Sequence, residues 1–187
     1  NVVQMVHVDE YPSFPQNADA GAERLKFSTE AGDFFSEDGM TGIEASGRLR
    51  GVVLHDILSR IIVPEDLEAA LSASFDAGEI DKAEMTDIRS MLKAGLELAI
   101  PLGWFPEDRS KVINETSVMM SDGQTRRPDR VVNDDGKIII VDFKFGAPTA
   151  SYESQVREYA DMYRSLGYQD VNSYLWYVPE GRVQKVS

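Results

Sequence analysis

Apolar positions in this chain recur first at helical spacing and then at strand spacing. In RLRGVVLHDILSRIIV, residues 48–63, the residues Leu54, Ile57, Leu58, Ile61 and Ile62 follow a helical period, which predicts an amphipathic helix ending near Pro64. Two more helical stretches come next: EDLEAALSASFDAGE begins after that proline, and KAEMTDIRSMLKAGLELAI ends before Pro101. KVINETSVMM is then a candidate strand, QTRRPDRVV a second and KIIIVDFKF a third. NDDG, between the last two, predicts a hairpin turn in which Gly136 takes positive φ. GAPTA breaks the third strand. SYESQVREYADMYRSLGY predicts a helix with Tyr152, Val156, Tyr159 or Ala160, and Tyr163 along one side, stopped at Gly167. NSYLWYV is a last strong strand, and PEG turns the chain into a short RVQKV strand.

That order, helices followed by a three-strand meander, a helix and a strand, predicts an α/β or α+β domain. It has a mixed central sheet flanked by helices and an α-helical N-terminal part. Residues 48–187 are assigned to this domain. Residues 1–47 open with a short β-like run, NVVQMVHV, and continue as a mixture rich in Asp, Glu, Gly and Ser. They are read as an arm or connector, and His7 within them as structural. A length of 187 residues suits one ordinary domain. The chain starts at Asn1 rather than Met, so it is expected to be a piece of a longer polypeptide.

Composition narrows the chemistry. With no cysteine there are no disulfides, thiolate zinc sites or iron–sulfur clusters, which is compatible with a reducing cytoplasm. The apolar runs are too short to span a bilayer and no secretory signal opens the chain, so the expectation is a cytoplasmic protein with no membrane partner. A net charge of −13 argues against broad attraction to nucleic acid. Contact with a polyanion must then be local, bridged by metal, or supplied by a neighbouring domain.

One stretch, RRPDRVVNDDGKIIIVDFKFG at 126–146, carries candidate chemistry. An aspartate and a lysine interrupt an apolar strand, where a buried charge is costly unless paired or metal-bound. Side chains alternate along a strand, so Asp142 and Lys144 share a face, roughly 6.5–7 Å apart. The hairpin folds Asp129 back toward them. Two carboxylates, a backbone carbonyl and waters make a hard-oxygen site for Mg2+ or Mn2+. Lys144 then orients a water or stabilises charge on a phosphoryl oxygen. The plainer alternative is a structural Asp142–Lys144 ion pair, with Asp129 capping the turn.

PDRVV, then IIIVDFKFG, then a helix with Gln155 and Tyr159 four apart, resembles the PD-(D/E)xK nuclease superfamily in its RecB-like branch. The upstream RGVVLH, with His55 four residues after Gly51, is similar to that branch's histidine helix. The likeness is to nuclease domains at the C-terminus of UvrD-type, AddA-like helicase–exonucleases, and covers about residues 48–180 in order and spacing. The resemblance implies a restriction-endonuclease-like fold and metal-dependent hydrolysis of DNA, as an exonuclease acting in recombination and repair. It implies UvrD-type helicase domains in the same chain or a partner subunit. Asp129 and Asp142 match the metal-binding acids, His55 an added metal ligand and Lys144 the catalytic lysine, with the Phe143 carbonyl as a further ligand. Gln155 and Tyr159 match a helix beside the metal that handles DNA, and Glu115 is a supporting acid. The chain departs from the pattern where a glycine commonly precedes the first aspartate. It has Arg126-Arg127-Pro128, two arginines suited to gripping phosphate.

Each feature also has an ordinary reading. A histidine beside an apolar helical stripe is more often packed than ligating, and Gln155 and Tyr159 share a helical face whatever their role. Trp104 and Trp176 are read as packing residues, since neither lies in a basic stretch. Beside the nuclease stand two alternatives: a catalytically silent module that binds DNA or braces a helicase, and an acidic enzyme unrelated to DNA. If the nuclease reading holds, alanine at Asp142 or Lys144 abolishes cleavage without unfolding the domain. The isolated domain then binds DNA weakly and with strong salt sensitivity.

Overall fold

The computed structural model describes residues 42–113, 118–119 and 125–187, with side chains over 49–113 and 127–187. All of these lie in one compact unit, Glu37–Ser187. The NVVQMVHV run with His7, the connector reading of residues 1–41, Glu115 and the Arg126 side chain lie outside the described residues.

The first helix, α1 (Gly42–Arg60), starts before the position expected from its apolar stripe. Leu54, Ile57 and Leu58 of its expected stripe are buried, as is Ile61 just past its end, while Ile62 is only half-buried. It ends where three β-branched residues precede Pro64: a proline disfavours helix at the residue before it, and Val63 is extended at φ −117°. A 3-10 turn, Pro64–Asp66, leads into α2 (Leu67–Asp76), which buries Leu67, Ala70, Leu71 and Ser74 at i, i+3, i+4 and i+7. Helix α3 (Lys82–Ala99) is fixed by a capping box. Asp81 accepts from Ala83 N and Glu84 N at 2.8 Å each, and Glu84 returns to accept from Asp81 N at 3.0 Å.

The β region differs from a plain three-strand meander. KVINETSVMM contributes two short strands, β1 (Val112–Ile113) and β2 (Val118–Met119), rather than one. QTRRPDRVV likewise divides into β3 (Thr125–Arg126), paired with β2 in a separate two-stranded sheet, and β4 (Arg130–Asp134). The division falls at Pro128, which has no N–H to donate to a ladder. The third strand, β5 (Lys137–Lys144), pairs antiparallel with β4 through the expected turn. Asp135 (φ 52°) and Gly136 (φ 93°) both take positive φ, as a two-residue type I′ connection requires.

Helix α4 (Ala150–Ser165) follows, stopped by Gly167 at φ 101°. It returns the chain to β6 (Asp170–Tyr177), which lies parallel to β5, and β7 (Arg182–Lys185) closes the sheet antiparallel to β6. The strand order is β1-β4-β5-β6-β7, a five-stranded mixed sheet with helices. A crossover helix between parallel strands covers one sheet face, which explains why β5 is continuously apolar. Ile139, Val141 and Phe143 pack in one core with α1, α2 and α3, while Ile138 and Ile140 pack with Tyr159, Ala160 and Tyr163 of α4. Trp104 and Trp176 are packing residues, both fully buried in the first core. No helix among the described residues is long and apolar enough to cross a membrane.

Candidate active site at the end of strand β5

The alternation of β5 sends Asp142 and Lys144 to the α4 side, because Val141 and Phe143 occupy the other. Asp142 is fully buried, and Lys144 Nζ lies 2.6 Å from its Oδ2. The ammonium also sits 4.1 Å over the ring of Tyr152, in the first turn of α4. The ion pair of the plainer reading is therefore present. Its other half is not, because Asp129 does not cap the turn at 133–136.

Asp129 lies one residue before β4. The register pairs Arg130 with Val141, so the next step outward sets Asp129 opposite Asp142 and Pro128 opposite Phe143. Instead of continuing the ladder, the chain bends and the Asp129 carboxylate replaces it: Phe143 N donates to Asp129 Oδ2 at 2.6 Å. In a strand a residue's N–H and C=O point to the same edge, so the Phe143 carbonyl also faces this side, where Pro128 has no hydrogen to offer it. The other carboxylate oxygen, Oδ1, lies 2.7 Å from His55 Nε2 of α1. An ionised carboxylate only accepts, so His55 is the donor. The Asp129 side chain is 5 % exposed and the His55 ring 33 % exposed, so the pair opens to solvent on the helix side.

Burial alone pushes the Asp129 carboxyl up. The His55 charge and hydrogen bond, the Lys144 charge and the Phe143 amide outweigh it, and together hold the group below its ordinary value. His55 comes from α1 on one face of the sheet and Lys144 projects from β5 toward the α4 face, and both act on this one carboxylate.

The Gln155–Tyr159 pair borders the same corner. Tyr159 is fully buried, as its helical stripe demands, but its hydroxyl donates to the Arg127 carbonyl at 3.4 Å and accepts from Gln155 Nε2 at 3.1 Å. It thus holds the backbone just before Asp129. Arg127 is half-buried there, and Arg126 supplies backbone to β3. The glycine of the histidine helix is not demanded by packing, since a Cβ at Gly51 would meet Phe145 Cβ at an ordinary 3.7 Å.

Among the described residues no group of three or more His, Asp or Glu side chains stands ready as a metal cage. His55 and Asp129 converge, whereas Asp142 is engaged by Lys144. Two adjacent ligand atoms on one octahedral ion with bonds of about 2.1 Å stand about 3 Å apart, close to the His55–Asp129 separation. Mg2+ is commonly held by one or two carboxylates, with waters and phosphate oxygens completing the sphere. The Asp129 carboxylate, and the His55 imidazole once Nε2 has given up the proton it now donates to Asp129, suit such a partly hydrated ion.

Sequence reasoning missed two residues here. Tyr152 was seen only as part of a helical stripe, though it stands three residues before Gln155. Arg130 is fully buried: Nη1 donates to the carbonyls of Ile62 and Trp104 at 3.3 and 3.2 Å, and Nη2 to that of Ile61. The guanidinium lies 4.0 Å over the Phe105 ring. Burial pulls it down to about 9, still above neutrality, so the group is charged. The available signal was an arginine directly before the buried pair Val131 and Val132. No protein-family model matches the sequence, and no curated protein is significantly similar to it.

Proposed function

We propose that this chain carries a metal-dependent deoxyribonuclease domain of the PD-(D/E)xK type, RecB-like in its site and restriction-endonuclease-like in its fold. The observation that supports this reading is the convergence of His55 from α1, Asp129 from the start of β4, and Asp142 and Lys144 from β5 at one corner of the sheet. His55 and Asp129 are 74 residues apart in sequence, yet their polar atoms meet at 2.7 Å.

His55 Nε2, the carboxylates of Asp129 and Asp142 and the Phe143 carbonyl are the atoms that would hold Mg2+ or Mn2+. When bound, the ion supplies the Lewis acidity that activates a water and offsets charge on the scissile phosphate. Asp142 keeps the Lys144 ammonium aimed at this corner, and Lys144 offers hydrogen bonds to the attacking water or to a phosphoryl oxygen. Gln155 and Tyr159 brace the Arg127 segment, and Arg126 and Arg127 supply phosphate contacts. The substrate is DNA, digested from an end, in recombination and repair. A net charge of −13 over the whole chain gives it little attraction for DNA by itself. UvrD-type helicase domains, in the same chain or a partner subunit, would deliver the strand.

The test is Mn2+ binding, followed by electron paramagnetic resonance of the free ion, together with cleavage of end-labelled DNA. Wild type should bind and cleave, EDTA should stop cleavage, and Asp129→Asn should lose both. Cleavage that persists undiminished in EDTA or in Asp129→Asn sinks the proposal. The 2.6 Å Asp142–Lys144 pair favours one second reading, a catalytically silent module that binds DNA or braces a helicase. DNA binding that is independent of divalent metal, without cleavage, would select it.

A further inference from the structure

Two neighbouring residues hold α1 at two places. Asp129 bonds the His55 ring, while Arg130 donates to the carbonyls of Ile61 and Ile62, just past the helix end. His55 and Ile61 are six residues apart, about 9 Å along a helix axis. Core packing of Leu54, Ile57 and Leu58 holds the helix coarsely in place, and the His55–Asp129 bond is the more solvent-exposed of the two polar attachments. Two attachments from adjacent residues of one short segment add directional constraints that apolar packing lacks, one at the His55 ring and one at the helix end.

The Arg130 end is built for this. Carbonyls at a helix C-terminus lack intrahelical donors and carry the negative end of the dipole, which a planar cation with several N–H groups matches. The same guanidinium also reaches Trp104 O, tying in the segment that follows α3. On the far side Asp66 accepts from Ile62 N at 2.9 Å and Val63 N at 3.1 Å, and Arg109 braces Asp66 at 3.0 and 2.5 Å. The α1 terminus is thus clamped through both its carbonyls and its amides.

We propose that Arg130 is a positioning residue for the site: by fixing the end of α1 against β4, it sets the distance and orientation of His55 to Asp129, and through them the affinity for the divalent ion. The second half of this inference rests on the nuclease reading; the first does not. Partners that orient a metal's ligands typically alter affinity tenfold to a hundredfold when changed.

The experiment uses the whole chain and the variants Arg130→Met and Arg130→Lys. Met removes every donor and risks failing to fold, so Lys, which keeps charge but not the planar fork, carries the test if it does. With only two histidines in the sequence, imidazole 1H–15N spectra read His55 without metal, and Mn2+ titration reads affinity. The expected result is loss or displacement of the His55 Nε2–H signal in Met, partial retention in Lys, and Mn2+ half-saturation raised on the order of tenfold or more in Lys. A merely structural arginine would lower thermal stability but leave both readouts of the folded protein unchanged, and that result overturns the inference. If Mn2+ neither binds wild type nor supports cleavage while the His55 signal still moves in the variants, the nuclease reading fails and the positioning role stands.

Discussion

Replacing Lys144 tests how the buried pair at the end of β5 is balanced. Lys144→Ala removes the ammonium 2.6 Å from Asp142 Oδ2, and the Asp142 side chain has no exposed surface. Its carboxyl must then take up a proton or remain ionised without that cation. Protonating a carboxyl of ordinary value about 3.9 costs about 4 kcal/mol at pH 7 and about 1.5 kcal/mol at pH 5. The first figure agrees with the roughly 3–5 kcal/mol seen when one partner of a buried pair is removed. Against a domain stability of about 5–15 kcal/mol this is a large fraction, so Lys144→Ala should lower stability markedly. The sign follows from linkage: a group that gains a proton on folding stabilises at low pH and loses that stability as pH rises. Lys144→Met combined with Asp142→Asn removes both charges at similar volume and should recover most of the loss. Urea denaturation of wild type, Lys144→Met, Asp142→Asn and the double, with Lys144→Ala measured beside them, at pH 7 and pH 5, completes the cycle. A Lys144→Ala loss below about 1 kcal/mol at pH 7, or one equal at the two pH values, refutes the reasoning.

Three other outcomes are expected. Gly95→Ala should destabilise despite a better helix propensity, because its Cβ would sit 2.7 Å from Trp176 Cζ2 in a filled core; overpacking of about 1–3 kcal/mol exceeds a gain of about 1, and a higher melting temperature would contradict this. Asp129, held below its ordinary value, contributes stability that is present above the unfolded value of about 3.9 and lost as pH falls through the folded one. The stability gap between wild type and Asp129→Asn should therefore narrow as pH drops below about 4, and a constant gap in acid denaturation would show that the carboxylate is not the source. Tyr152→Leu should slow DNA cleavage about twofold to fivefold by removing the ring beneath Lys144, worth about 0.5–1 kcal/mol, while Tyr152→Phe keeps it; equal rates for the two variants would dismiss the contact.

Local pattern carried much of the architecture. The alternation of KIIIVDFKF, the positive φ of Asp135 and Gly136, and the stripes of α1 to α4 all follow from neighbours in sequence. Pro101 ends α3 and Gly167 stops α4 for the backbone reasons their residue types supply. What stayed hidden depends on distant partners. QTRRPDRVV has the composition of one strand, and its division shows only when the ladder stops at Arg130 opposite Val141 and the Asp129 carboxylate takes the Phe143 amide. Arg130 looks like a surface residue until carbonyls at 61, 62 and 104 converge on it. In the candidate site, spacing along β5 gives Asp142 and Lys144 one face and allows their ion pair, whereas the bonds of Asp129 to the His55 ring and the Phe143 amide show only in the packed structure.

The central claim is that this corner hydrolyses DNA with a divalent ion and Lys144. It is tested most directly by degradation of end-labelled single-stranded DNA in Mn2+, Mg2+ or EDTA, comparing wild type with the charge-neutral Asp142→Asn/Lys144→Met double variant at matched folded concentration. The account predicts metal-dependent degradation by wild type and none by the double variant. Degradation by the double variant at the wild-type rate would contradict it.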